Sequence, residues 1–288
     1  MSHVRIYEVG PRDGLQNEKA VIAVDDKVAL IKALVDAGLK DIEVGSFVSP
    51  KWVPQMADTD RVMAALDYAN DVNYATLVPN VKGWEGFVQA SANLPRNAGE
   101  IAVFIAASEG FSKANLNCTV EDSLSRLAPV VEAAQNAGVP VRGYVSCMTD
   151  CPFDGPTPPE AVVRAVEGLR RLAPMPVSLG DTIGAGTPET VTRVIKAVAE
   201  VMPIADVAGH FHDTGGRALD NVQASLELGV RVFDAAVGGL GGCPYAPGAP
   251  GNVATEAVVE RVEALGYSTG LDHAALARAG LMARKLRG

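Results

Sequence analysis

Apolar and polar positions alternate along this chain in blocks that repeat from end to end: a short β-branched run, a loop, then a stretch with helical spacing. Strand-like runs fall at 5–9, 41–47, 73–78, 100–106, 140–146, 176–179, 206–212 and 231–237. Between them, apolar residues three and four apart predict amphipathic helices, among them 26–37, 120–137, 159–172, 188–201 and 252–265. Pro159 and Pro188 stand near helix starts, where proline is tolerated, and Gly38 and Gly138 stand just past helix ends. Strands alternating with helices imply parallel pairing through right-handed crossovers. Eight such units in about 250 residues predict an α/β fold of the (β/α)8 TIM-barrel type. A doubly wound open sheet is the alternative, but no Gly-x-Gly-x-x-Gly follows the first strand. The pattern assigns 1–265 to a barrel catalytic domain and 266–288 to a C-terminal helical extension packed on it, with a helix at 274–287.

Composition narrows the function. The chain has 288 residues, of which 48% are hydrophobic, ample for a large core, and a formal charge of −9. That charge argues against nucleic acid or an anionic membrane as partner, although Arg12, Lys19, Lys51 and Lys113 can form a local patch for a small anion. Four cysteines at 118, 147, 151 and 243 make no disulfide framework, and Cys147-x3-Cys151 lacks the second close pair of a zinc site. No apolar run reaches the roughly 20 residues that span a bilayer. The first strand begins almost at once, so the expectation is a cytoplasmic protein without a targeting segment.

Barrel enzymes carry their chemistry on loops after the C-terminal ends of the strands, and polar residues gather there. The first strand leads into Arg12, Asp13 and Gln16; the second carries Glu43; the sixth ends at Asp181; the seventh ends in His210-Phe-His212. Alternate residues of a strand share a face, so both imidazoles can point to the mouth. With Asp13 they make a candidate divalent-metal site, or else a packed pair of histidines. Glu43 inside an apolar strand needs a partner, and Arg12 is the natural one. Asp181 reads either as a proton carrier or as a loop-forming acid. Asp213 points away from its neighbour His212 and reads as a helix cap. The eighth strand feeds a glycine-rich loop, GLGGCPY at 239–245, that holds Cys243 and runs on to Asn252. Asn252 reads as an N-cap or a ligand, and Glu256, one turn on, as its support or as a surface ion-pair partner.

Motifs spread over nearly the whole length carry a resemblance: VGPRDGLQNEK at 9–19, SFVSPKWVPQM at 46–56, RGYVSC at 142–147, SLGDTIG at 178–184 and GLGGCPY at 239–245. In these the chain resembles the 3-hydroxy-3-methylglutaryl-CoA lyase family of DRE-TIM metallolyases. The resemblance implies that Asp13, His210, His212 and Asn252 hold Mg2+ or Mn2+. It implies that Arg12, oriented by Glu43, stabilises charge on a thioester carbonyl, that Asp181 moves a proton, and that Cys243 protonates the acetyl-CoA carbanion. Gln16 and Glu256 become supporting residues, and Lys19 lies near a CoA-binding mouth. The implied reaction cleaves 3-hydroxy-3-methylglutaryl-CoA, a CoA-thioester substrate, to acetyl-CoA and acetoacetate, as in leucine degradation, by a homodimer. One departure stands out: at 214–217 the chain reads Thr-Gly-Gly-Arg, where the family usually has tyrosine at 215 and glutamine at 217. That change bears on acyl-chain choice and keeps open a lyase for a related branched 3-hydroxyglutaryl-CoA.

Overall fold

In the computed structural model, which describes residues 2–95, 98–243 and 246–287 (243 and 246–250 by their backbone alone), eight parallel strands close into a barrel. They are β1 (Arg5–Glu8), β2 (Asp41–Ser46), β3 (Asn73–Leu77), β4 (Glu100–Ala106), β5 (Val141–Ser146), β6 (Val177–Asp181), β7 (Val207–Phe211) and β8 (Val232–Ala235). Each pairs with its neighbours in chain order, and β8 pairs with β1 to close the ring. The ring of helices comprises α1 (Val24–Asp36), α2 (Thr59–Ala65), α3 (Val81–Ser91), α4 (Glu109–Leu116), α5 (Val120–Asn136), α6 (Pro159–Leu172), α7 (Pro188–Ala199), α8 (Ala218–Glu227), α9 (Thr255–Ala264) and α10 (His273–Leu286).

The hydrophobic core lies mainly between strands and helices. Ile42, Val44, Val103, Ile105, Val145, Leu179 and Phe233 are buried and belong to one cluster with helix residues such as Leu34, Val130, Val166 and Val194. Helix α10 joins that cluster through Ala275, Leu276, Ala279 and Ala283, packing on α1 and on the turn Val237–Gly239 that follows β8. The alternate strand residues fill the barrel's inside, and there the chain is strongly polar. Tyr7 donates to Glu100 and Arg142 pairs with Asp234 at 2.5 Å, while Arg5, exposed at the start of β1, pairs with the buried Asp41 at 2.5 Å. The Arg142 guanidinium lies 3.9 Å from the Tyr7 ring centroid and 4.8 Å from that of Tyr144. Barrel interiors usually hold branched aliphatics, so charge here replaces much of the usual packing.

Two features differ from expectation, the first through competition for backbone hydrogen bonds. The last barrel helix was expected from 252, yet α9 begins at Thr255, with Ala254 at its N-cap position. Residues 252–254 are drawn into extended backbone between strand ends: Val253 N–H donates to the Phe211 carbonyl, and Ala236 N–H to that of Val253. Beyond β4 the chain forms the separate helix α4, closed by Asn117 in the left-handed region at φ 52°, before the predicted α5 begins.

Glu8, at the end of β1, ties three elements at the barrel mouth. Its Oε1 accepts from Gly10 N–H and Val237 N–H, and its Oε2 from the Thr255 hydroxyl. Burial pushes its pKa from 4.5 up to about 7, although the bonds from Thr255, Val237 and Gly10 oppose the shift. The folded chain therefore holds a proton that the unfolded chain has lost over that interval. The stability this adds is complete below about pH 4.5 and lost as pH rises through about 7, amounting to roughly 3 kcal/mol. Glu8→Gln keeps the shape and removes the titration, so its urea midpoint relative to the native chain rises between about pH 5 and pH 8. A pH-independent difference contradicts the assignment.

Candidate active site

The mouth is assembled from the segments that follow β1, β7 and β8. After β1 the chain makes a π-helical turn, Gly10–Gly14, which carries Arg12 and Asp13 inward. Gly14 is required here, because a Cβ would come within 2.6 Å of Leu240 Cβ in the segment after β8. Gly241 (φ 99°) is required on the other side, since its Cβ would lie 2.9 Å from Asn252 Nδ2. The two loops thus touch only because both lack side chains at the crossing.

Asp13, His210 and His212 each offer a ligand atom, all within 4.8 Å of one another. The imidazole centroids are 5.3 Å apart. Asp13 is held from three sides: Oδ1 accepts from Arg12 and from Gln16 Nε2, both at 2.7 Å, and Oδ2 accepts from Asn252 Nδ2 at 2.7 Å. Burial acts to raise its pKa, but Arg12 and the two imidazoles outweigh this and bring it down to about 2. His212 is lowered as well: burial and the neighbouring His210 bring it to about 4, which leaves it neutral, and its shielded Nδ1 has no hydrogen-bond partner. A neutral imidazole with an unused buried lone pair, beside a carboxylate that stays ionised, is the donor chemistry a cation needs.

Arg12 is buried and doubly countered. Its Nε and terminal nitrogen meet Glu43 Oε2 at 2.8 and 2.7 Å, and its other terminal nitrogen meets Asp13. Burial opposes its charge, but Glu43 and Asp13 outweigh burial and raise its pKa further. Glu43 also accepts from Tyr144 at 3.3 Å, while its Oε1 is buried without a hydrogen-bond partner. A register shift between Glu43 and Gly45 lies just beyond this carboxylate.

Other expected residues lie at greater remove from the cluster or have different partners. Asn252 does not cap α9; it bridges to His212 through the backbone, and its amide nitrogen reaches Asp13 and the Leu240 carbonyl. Asp181 is buried at the end of β6, accepting from Thr149 at 3.0 Å and Gly186 N–H at 3.0 Å, and burial raises its pKa against those bonds. Glu256 accepts from Gly238 N–H and faces Arg284 at 3.6 Å, so it supports the turn after β8 rather than contacting Asn252. Lys19 is exposed on the first loop. Asp213 accepts from Ala218 N–H at the start of α8, as a cap does. Backbone Cys243 lies in a short antiparallel hairpin, Gly242–Cys243 with Ala246–Pro250; its side chain and residues 244–245 fall outside the described residues.

The residues that sequence reading passed over are those deeper in the barrel. Asp234, Arg142, Ser178 and Tyr144 support the mouth from below, and Asp234 contacts His210 directly. Arg142, Tyr144 and Ser178 fell within two of the quoted motifs, RGYVSC and SLGDTIG, while the only local signal of Asp234 was a polar residue inside an apolar strand, as for Glu43.

The HMGL-like family matches residues 3–282. The chain belongs to the HMGL-like family. It is 50% identical over 281 residues to the hydroxymethylglutaryl-CoA lyase of Pseudomonas mevalonii, covering 98% of this chain and 91% of that one. It is 52% identical over 277 residues to the 3-hydroxy-3-isohexenylglutaryl-CoA/hydroxymethylglutaryl-CoA lyase of Pseudomonas aeruginosa, covering 96% and 90%. The solved structure of the HMG-CoA lyase from Brucella melitensis superposes with a TM-score of 0.96 at 56% identity, covering 100% of this chain and 99% of that chain. In this HMGL-like barrel Glu43 is the principal counter-charge to Arg12. Replacing it by glutamine leaves the guanidinium with Asp13 alone and costs about 3 kcal/mol, read from urea denaturation at neutral pH. An unchanged midpoint means Asp13 suffices.

Proposed function

We propose that this protein is a divalent-metal-dependent lyase that cleaves 3-hydroxy-3-methylglutaryl-CoA to acetyl-CoA and acetoacetate. The observation that carries this reading is the convergence of Asp13, His210 and His212 beside the buried Arg12 at the mouth of the barrel. The half-identity to hydroxymethylglutaryl-CoA lyases over nearly the full length supports it.

Asp13, His210 and His212 with the amide oxygen of Asn252 would hold Mg2+ or Mn2+, a mixed oxygen and imidazole set that suits either ion. Bound there, the cation supplies Lewis acidity at the tertiary hydroxyl of the substrate and eases loss of its proton. Breaking C2–C3 turns that hydroxyl carbon into the ketone of acetoacetate and leaves the electron pair on C2, delocalised onto the thioester oxygen. Arg12 is a fixed cation locked by Glu43 and Asp13, so it stabilises the developing negative charge without reorganising. Asp181 accepts the hydroxyl proton, a task favoured by the burial that raises its proton affinity. Cys243, on the hairpin after β8, returns a proton to C2 and releases acetyl-CoA. Gln16 keeps Asp13 oriented, Glu256 steadies the base of the hairpin, and Lys19 meets the CoA end of the substrate.

A second substrate has its own support. Arg217 donates to the carbonyls of Ala185 and Gly186, bracing the loop that follows Asp181, and at Gly215 a Cβ would lie 2.6 Å from the Gly184 carbonyl. This wall differs from the tyrosine and glutamine usual in the family, and the P. aeruginosa relative bears a name covering a longer branched acyl group. The reading extends, on family resemblance, to a cytoplasmic homodimer acting in leucine degradation. Among the described residues no helix is long and apolar enough to cross a membrane.

Acetyl-CoA release from 3-hydroxy-3-methylglutaryl-CoA is expected to vanish after exhaustive metal removal and to return with Mg2+ or Mn2+. Full activity in the metal-free protein sinks the reading, and a panel of 3-alkyl homologues ranks the two substrates by kcat/KM. Cys243→Ala is expected to lower kcat by about 100-fold or more while Mn2+ affinity stays within about twofold. Undiminished turnover removes Cys243 as the proton donor.

A further inference from the structure

We infer that Asp234 is a positioning residue that fixes which nitrogen of His210 faces the metal site, and that Arg142 holds Asp234 for this task. The inference rests on the metal reading above.

Asp234 lies in β8, on the barrel's inside, with a side chain 0% exposed. Its two oxygens accept four hydrogen bonds from three residues on three other strands. Oδ1 accepts from Arg142 at 2.5 Å; Oδ2 accepts from Arg142 at 3.3 Å, from the Ser178 hydroxyl at 2.6 Å and from His210 Nδ1 at 3.1 Å. The parallel register sets Asp234 beside His210 on the adjacent strand. A carboxylate bound this way is an acceptor only, so the shared proton sits on His210 Nδ1. Nε2 is then the nitrogen with the free lone pair, and it is the one left to meet Asp13 and His212.

Arg142 keeps this arrangement from relaxing. The guanidinium is 3% exposed in its side chain and lies against the rings of Tyr7 and Tyr144. Asp234 therefore has a fixed counter-charge from below and a directional partner above, and cannot rotate toward His210 or away from it without breaking the fork to Arg142. Burying this ion pair makes sense if its orientation matters, since a pair of apolar residues of similar volume would often stabilise a fold as well. His212, by contrast, has an unpartnered Nδ1. The two imidazoles are thus set differently, one by a carboxylate and one by exclusion.

The test measures Mn2+ binding by electron paramagnetic resonance in the full-length protein, with Asp234→Asn and Ser178→Ala as variants. Asparagine can donate its amide to Nδ1 and so favours the other tautomer. Asp234→Asn is expected to weaken Mn2+ by 10- to 100-fold and to restore much of kcat at saturating Mn2+. Ser178→Ala removes a neighbouring bond to the same carboxylate and is expected to change Mn2+ affinity by less than about threefold. Equal Mn2+ affinity in native and Asp234→Asn proteins overturns the inference, and so does an equal loss in both variants, which marks mere structural support. A native protein that binds no Mn2+ overturns the metal reading as well. If Asp234→Asn does not fold, 15N-histidine NMR of the native protein with Mg2+ decides: His210 protonated on Nδ1 upholds the inference, and protonation on Nε2 overturns it.

Discussion

A charge inside a barrel must be met by an opposite charge at fixed geometry, because water is not there to replace it. In this protein that constraint runs up the inside of the sheet. Arg142 with Asp234 and Arg12 with Glu43 occupy successive levels, each pair joining segments far apart in the sequence. Closing the barrel is what brings these partners together, and their pairing in turn fixes the strand register. The outer core of valines, leucines and isoleucines supplies the bulk of the burial. The inner charges specify where each functional group points.

The mouth inherits its order from this column. Asp234 is anchored by Arg142 and reaches His210; Glu43 anchors Arg12, which reaches Asp13. Burial alone would favour a neutral Asp13, yet the cation beside it keeps it ionised, while the same burial keeps His212 neutral. Both shifts are downward, and one direction leaves the carboxylate charged and the imidazole neutral, two donors ready for a cation. Above it, Gly14 and Gly241 let two loops cross, and Glu8 and Glu256 hold the turn after β8 through Val237 and Gly238. Arg287, at the end of α10, adds bonds to the carbonyls of Gly239 and Gly241. The base of the Cys243 hairpin is therefore firmly fastened.

Much of this was legible in the sequence. The repeated β-branched runs gave the barrel, the two-residue spacing of His210 and His212 put both rings at the mouth, and the isolated carboxylate Glu43 pointed to Arg12. What stayed hidden shares one physical cause. Periodicity tells which face a residue takes but not what stands across a closed sheet from it, so Asp234 passed as one polar position in an apolar strand. Asn252 was misplaced at a helix start because its local preference for capping lost to backbone bonds from the ends of β7 and β8. Glu256 lay one turn from Asn252 in sequence, yet the extended segment 252–254 carries the two apart, and Glu256 serves Gly238 instead.

The central claim is that the inner column of charge presents Asp13, His210 and His212 as one metal site. Anomalous diffraction from crystals soaked in Mn2+ tests it most directly. The account predicts a single strong manganese peak within bonding distance of the Asp13 carboxylate and both imidazoles, with His210 meeting it through Nε2. A peak elsewhere on the protein, or a clean map at these three residues, contradicts it.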